Sequence, residues 1–83
     1  MVSKHTLDVA DRATRIYESR LRDQLEETHL HAFVAVEPDS GEYFLGDTLS
    51  EAIGAARDAH PDRISFAFRV GHPAAVNLGV LTT

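Results

Sequence analysis

Residues 33–70 constrain the fold of this chain most tightly. Two apolar runs, a turn cluster, a helix start and a third apolar run follow one another there without interruption. The first two runs, residues 33–36 and 43–45, flank residues 38–41, which are Pro, Asp, Ser and Gly. Proline presets φ, Asp and Ser bond the neighbouring backbone, and Gly accepts a positive φ. The pattern predicts a β-hairpin with a loop of about four or five residues.

A helix and a third strand are predicted after the hairpin. Thr48 and Glu51 match a capping box, in which Thr48 accepts from the Glu51 backbone and the Glu51 side chain reaches back. The buried stripe of this helix would consist of Leu49, Ala52, Ile53 and Ala56. Pro61 ends the helix, because the residue before a proline is disfavoured in the helical region. Residues 64–70 alternate between large apolar and smaller or polar side chains, which predicts a strand with one strongly apolar face.

A long amphipathic helix is predicted from residue 7 to about residue 27, because apolar residues recur at three- and four-residue steps. The stripe consists of Val9, Ala13, Ile16, Tyr17 and Leu21. Acid–base pairs at i,i+4 occupy the solvated side, and each contributes about 0.2–0.5 kcal/mol. These pairs are Asp8–Arg12, Asp11–Arg15 and Glu18–Arg22. Arg20 lies inside the stripe, where it either covers the core with its stem or anchors a carboxylate or a partner surface.

Together the elements predict a single small domain, residues 1–83, of the α+β class. We expect a two-layer α-β-β-α-β sandwich with a three-stranded sheet in the order 2-1-3 and both helices on one face. A right-handed crossover through the second helix makes this order easy. The competing order is 1-2-3, with strands 2 and 3 parallel. The C-terminal tail could form a fourth strand, a short helical turn or an arm that packs on a neighbour.

Composition excludes several classes of partner and of metal site. The net charge of −5 argues against nonspecific nucleic-acid binding. Since the chain has no cysteine, disulfides and thiolate metal sites are excluded. No apolar stretch approaches the roughly 18 residues of a membrane span, and the N-terminus lacks the apolar region of a secretory signal. We therefore expect a cytoplasmic protein without a cofactor, a nucleic-acid partner or a membrane partner.

Two patterns suggest chemistry, and each has a simpler interpretation. Asp39, Ser40 and Gly41 spell the Asp-Ser-Gly triplet of retropepsin-like aspartic proteases, but their place between two apolar runs favours a hairpin turn. His29 and His31 could place two imidazoles on one face of a strand and, with a carboxylate, form a zinc site. No third ligand occurs at a telling spacing, so exposed loop histidines are the simpler interpretation.

Residues 33–53, 59–63 and 68–72 resemble a group of short bacterial proteins of unknown function. These proteins share a helix, an FVAI-type strand, an acidic turn, a capped GDTL-EAI helix and an F-RIG strand. The resemblance covers about residues 15–75 of this chain. It implies the same core fold and supplies no catalytic residue. It also implies an accessory or regulatory role beside a retropepsin-like protease encoded nearby, which would be a candidate partner.

The leading functional hypothesis is a non-enzymatic protein-interaction or accessory module that forms a homodimer. A helix of about 20 residues spans roughly 30 Å, whereas a five-residue strand spans about 17 Å. The first helix should therefore overhang the sheet and need cover from the C-terminal tail or another subunit. The predicted interaction surface consists of Val9, Ala13, Arg20, Val76, Leu78, Val80 and Leu81. The alternatives are a small metal-dependent hydrolase that uses His29 and His31, and an antitoxin-like regulatory component.

Overall fold

The computed structural model describes residues 4–72, and the side chains of residues 8–72. One helical stretch comes first and comprises α1 (Lys4–Ile16), a π-helical segment (Tyr17–Leu21) and α2 (Arg22–Thr28). The strands β1 (Phe33–Glu37) and β2 (Glu42–Gly46) follow, and then α3 (Leu49–Ala59) and β3 (Phe66–Arg69). The predicted order of helices and strands is therefore observed.

The sheet has three strands in the order β2-β1-β3, and β1 is antiparallel to both neighbours. This confirms the α+β class and the predicted 2-1-3 order. The hairpin loop is residues 38–41, because Glu37 pairs with Glu42. Gly41 takes a φ of 79°, which glycine adopts without a steric cost, and its N–H donates to the Glu37 carbonyl at 2.9 Å. A fourth strand from the tail would lie outside the described residues.

The two helical layers lie on opposite faces of the sheet, so the prediction that both helices share one face is wrong. Successive side chains of a strand point to opposite faces. Val34 and Val36 belong to one buried cluster with Tyr17 of the long helix. Ala35, between them, belongs to a second cluster with Ala52 of α3. The architecture is therefore three-layered, with the sheet in the middle, rather than the expected two-layer sandwich.

The π-helical segment keeps the apolar stripe of the long helix against the sheet. The buried residues recur at every fourth position, as Val9, Ala13, Tyr17, Leu21 and Leu25. On a regular α-helix a four-residue repeat rotates around the axis by about 40° per step, because four residues exceed one turn. The wider i→i+5 turns of a π-helix offset part of this rotation. Leu21 and Leu25 consequently remain in the same cluster as Tyr17.

The start of α3 is capped as predicted. Thr48 Oγ1 accepts a hydrogen bond from the Glu51 backbone N–H at 3.1 Å, and the Glu51 carboxylate accepts from the Asp47 N–H at 2.9 Å. Gly46 allows α3 to approach β2 closely, because a Cβ at this position would lie 2.6 Å from the Ala52 backbone nitrogen. Local hydrogen bonds and one glycine thus determine where α3 begins and how near it lies to the sheet.

Candidate functional site

Two of the residues predicted for an interaction surface are buried. Val9 is 3% exposed and Ala13 is completely covered within the single chain, so neither side chain is available at the surface of this chain. Arg20 is exposed, and its Nη1 lies 3.8 Å from the position that a Cβ would take at Gly41. It therefore reaches the hairpin loop. The remaining predicted residues, Val76, Leu78, Val80 and Leu81, lie outside the described residues.

The two histidines predicted as zinc ligands have different neighbours. His29 Nδ1 lies 2.7 Å from Thr28 Oγ1, whereas His31 Nδ1 lies 3.1 Å from His72 Nε2. Within residues 8–72, no three His, Cys, Asp or Glu side chains are grouped so that they could hold a metal ion. That part of the chain consequently does not assemble His29, His31 and a carboxylate into the site that a hydrolase would need.

A buried carboxylate, which the sequence analysis missed, holds the hairpin loop. The Glu37 side chain is 1% exposed, and Arg63 Nη1 lies 3.6 Å from one of its oxygens. Its two oxygens accept from the Asp39 N–H at 2.8 Å and from the Ser40 N–H at 2.9 Å. The available signal was an acidic residue directly before a turn, because the N–H groups of a turn need acceptors.

Asp39 ties the hairpin loop to the neighbouring elements. One of its oxygens lies 3.0 Å from Arg12 Nη1 of α1, and the other lies 3.6 Å from Arg63 Nη1. A second nitrogen of Arg12 lies 3.5 Å from the Pro38 carbonyl oxygen. Asp39 is thus an exposed, arginine-paired residue of a turn. The Asp-Ser-Gly triplet forms a hairpin loop, as predicted.

The outer backbone of β2, called here the β2 edge (Glu42–Gly46), is the candidate functional site. In the described sheet β2 pairs with β1 on one side and has no strand on the other. Glu42 and Tyr43 are exposed and the rest of β2 is half-buried, whereas two of the four residues of β3 are buried. Tyr43 is a large apolar side chain with 36% exposure. An unpaired strand edge offers N–H and C=O groups to another strand.

Contacts with α3 on one face of the sheet hold β2 in place. His60, at the end of α3, forms a hydrogen bond with Glu42, and its ring meets Phe44 edge-on with the ring centroids 6.1 Å apart. At the other end of β2 an open cleft of about 280 Å³ is lined by His29, Ala32, Leu45, Gly46, Asp47 and Glu51. Contacts with α3 therefore fix the position of β2, while its outer backbone pairs with no strand of the described sheet.

Comparisons with known proteins add no assignment. Within residues 4–72, no helix has the length and apolarity needed to cross a bilayer. The resemblance to short bacterial proteins stays a prediction. No protein-family model, curated protein or solved structure matches this chain.

Proposed function

We propose that this chain is a small non-enzymatic protein-interaction module that binds a second copy of itself through the β2 edge. One observation carries the proposal: β2 is exposed at the side of a sheet whose two faces are covered by helices. With both faces occupied, a strand edge is the part of the sheet that can still accept a partner. Strand addition gives affinity through main-chain hydrogen bonds.

The residue order of β2 suits antiparallel pairing of two copies about Phe44. In this register the two Phe44 residues face each other and Tyr43 faces Leu45 of the second copy. Glu42 faces Gly46 of the second copy, so no acidic residue lies opposite another. This favours the register, because like charges directly opposite each other are destabilising. Tyr43 and Leu45 pair with Val36 and Val34, and therefore lie on the sheet face that the long helix covers.

Size also supports a partner. A domain of this length hides only about 60% of the surface of its unfolded chain, so an added subunit contributes usefully to stability. Two copies that use the same edge give two-fold symmetry, the commonest closed arrangement of subunits. Tail residues such as Val76 and Leu81 remain predicted contacts with the long helix, but Ala13 of that helix, which belongs to the predicted interaction surface, is buried. The β2 edge is therefore preferred.

Sedimentation velocity or light scattering tests the proposal. At tens of micromolar the full chain should have a mass near twice 9.1 kDa. Tyr43→Lys should return the mass to one subunit, because a lysine on an edge strand opposes pairing with another chain. Leu30→Lys is the matched control, since Leu30 is also a large apolar side chain, 53% exposed, on a loop outside β2. This control should remain a dimer.

Two outcomes would contradict the proposal. A full chain that stays at 9.1 kDa under these conditions would exclude self-association. A dimer that survives Tyr43→Lys but is lost when residues 76–83 are deleted would place the contact on the tail instead of the β2 edge.

A further inference from the structure

Two histidines from distant parts of the chain meet at a place separate from the β2 edge. His31 belongs to the connection between α2 and β1, and His72 belongs to the turn after β3. His31 Nδ1 lies 3.1 Å from His72 Nε2, and the ring centroids are 5.3 Å apart. His31 is exposed and His72 is half-buried, so neither residue lies in the core.

The backbone holds this histidine pair in place. His31 has a φ of 72°, which is uncommon for a residue other than glycine and persists where the surroundings impose it. Its N–H donates to the Val70 carbonyl at 2.9 Å, and its own carbonyl accepts from Arg69 Nε at 3.2 Å. The His72 N–H donates to the Arg69 carbonyl at 3.1 Å. Main-chain bonds thus anchor both residues to the same end of β3.

We propose that His31 and His72 together chelate a late first-row divalent metal ion, of the class Zn²⁺, Ni²⁺ and Cu²⁺. Zinc–imidazole bonds are about 2.0–2.1 Å long, so two nitrogens on one ion lie about 2.9 Å apart at a right angle and about 3.3 Å apart at the tetrahedral angle. The observed 3.1 Å lies between these values. Imidazole is a ligand that suits these ions.

Binding requires a change of tautomer but no covalent step. In the metal-free pair, one ring nitrogen donates a proton to the lone pair of the other. In the complex both facing nitrogens present lone pairs, and the donor ring carries its proton on its other nitrogen. Water completes the coordination shell, and the positive charge of Arg69 lies nearby. We therefore expect weaker binding than at structural zinc sites with four protein ligands.

Calorimetric titration of the full chain, without a histidine tag, tests this site. ZnCl₂ should bind with one ion per chain, CuCl₂ should bind more tightly, and MgCl₂, which prefers oxygen ligands, should give no heat. His72→Gln should weaken zinc binding at least about tenfold. His31→Asn should do the same, and Asn is chosen because it tolerates the left-handed backbone.

Two matched controls make the result specific. His29→Gln and His60→Gln remove histidines outside the pair and should leave zinc affinity within about twofold of wild type. Zinc should also raise the melting temperature of the wild type and both controls, since it binds the folded state, but not that of His72→Gln. No heat with zinc or copper, or an equal loss in the controls and in His72→Gln, would overturn the proposal. If His31→Asn fails to fold, His72→Gln alone decides.

Discussion

The Tyr17 hydroxyl is a polar group inside an apolar core. The ring stacks on Phe68 with centroids 4.6 Å apart and planes within 6°. Burial raises the pKa of the phenol above its ordinary 10.0, and the Gly71 backbone opposes this increase. No well-formed hydrogen bond joins the hydroxyl to a described residue. The core therefore favours the neutral phenol over the phenolate.

We expect the Tyr17→Phe variant to lose less stability in alkali than the wild type. The pKa of Tyr17 is higher in the folded protein than in the unfolded chain. Its contribution to the free energy of unfolding is therefore fully present below pH 10 and is lost as the pH rises through the folded pKa. Near neutral pH the substitution should be almost neutral or stabilising, since no hydrogen bond is lost. Urea unfolding between pH 7 and about 11 measures both effects. Tyr43→Phe, at an exposed tyrosine, should keep the alkaline loss of the wild type; an identical loss in Tyr17→Phe would contradict this expectation.

Two glycines should respond to alanine with opposite signs. At Gly46 the new Cβ would meet the α3 backbone at 2.6 Å, whereas at Gly54 it meets no atom within 4 Å. Gly46→Ala should therefore destabilise the fold by about 1–3 kcal/mol through overpacking. Gly54→Ala, inside a helix, should stabilise it by about 0.5–1 kcal/mol. Denaturant midpoints measure both, and equal effects would show that α3 does not lie this close to β2.

The Glu37 carboxylate should matter more for stability than the exposed Asp39 carboxylate. Glu37→Gln keeps the shape, but its NH₂ group cannot accept a hydrogen bond from a loop N–H, so we expect a loss of about 1–3 kcal/mol. Asp39→Asn weakens only exposed ion pairs with arginines and should cost at most about 1 kcal/mol. Thermal or urea unfolding compares the two variants. A larger loss for Asp39→Asn would mean that the arginine contacts, rather than Glu37, hold the loop.

At the scale of elements, the start of α3 depends on one side chain. Thr48→Ala removes the acceptor for the Glu51 N–H, and should destabilise the protein by about 1 kcal/mol. Ser50→Ala is the control, because Ser50 is exposed in the first turn and alanine has the higher helix propensity. It should leave the melting temperature unchanged or slightly raised. If Thr48→Ala melts like the wild type, the cap contributes nothing to stability.

The turn and the helix cap, which depend on residues close together in the chain, could be predicted from the sequence. The packing of the helices on the sheet could be predicted only in part. The turn residues before Gly41 and the cap at Thr48 act within a few positions, and both predictions were confirmed. The faces of the helices were mispredicted, because an amphipathic stripe does not say which side of a sheet it covers. The useful signal was β1 itself: a strand that is apolar on both sides needs cover on both.

The π-helical segment also had a signal in the sequence. Five buried residues spaced by four would spread around a regular α-helix, because each step turns about 40° beyond a full turn. Their shared burial therefore indicated a departure from regular α-helical geometry. Among the described residues the predicted Glu18–Arg22 ion pair is not formed, and Arg22 instead lies 3.8 Å from Glu26. The pairs Asp8–Arg12 and Asp11–Arg15, in the regular helix before it, are observed as predicted.

At the scale of the whole molecule, long-range contacts define the candidate sites, and these were the hardest features to predict. His31 and His72 are far apart in the chain, and they meet at a point where His31 adopts a positive φ, which no local pattern indicated. The β2 edge follows from the strand order, which was predicted, but its exposure depends on which residues the helices cover. The burial of Ala13 was also hard to predict, because it comes from packing against residues of the core that are distant in the chain.

Amide hydrogen exchange at two protein concentrations tests the self-association of the β2 edge most directly. We expect the amides of β2 (Glu42–Gly46) to exchange more slowly at roughly 100 µM than at roughly 1 µM, because the higher concentration favours the proposed dimer. The amides of β1 (Phe33–Glu37), already paired on both sides, should change much less. If β2 exchanges at the same rate at both concentrations while the mass doubles, another surface carries the dimer and the proposed role of the β2 edge is wrong.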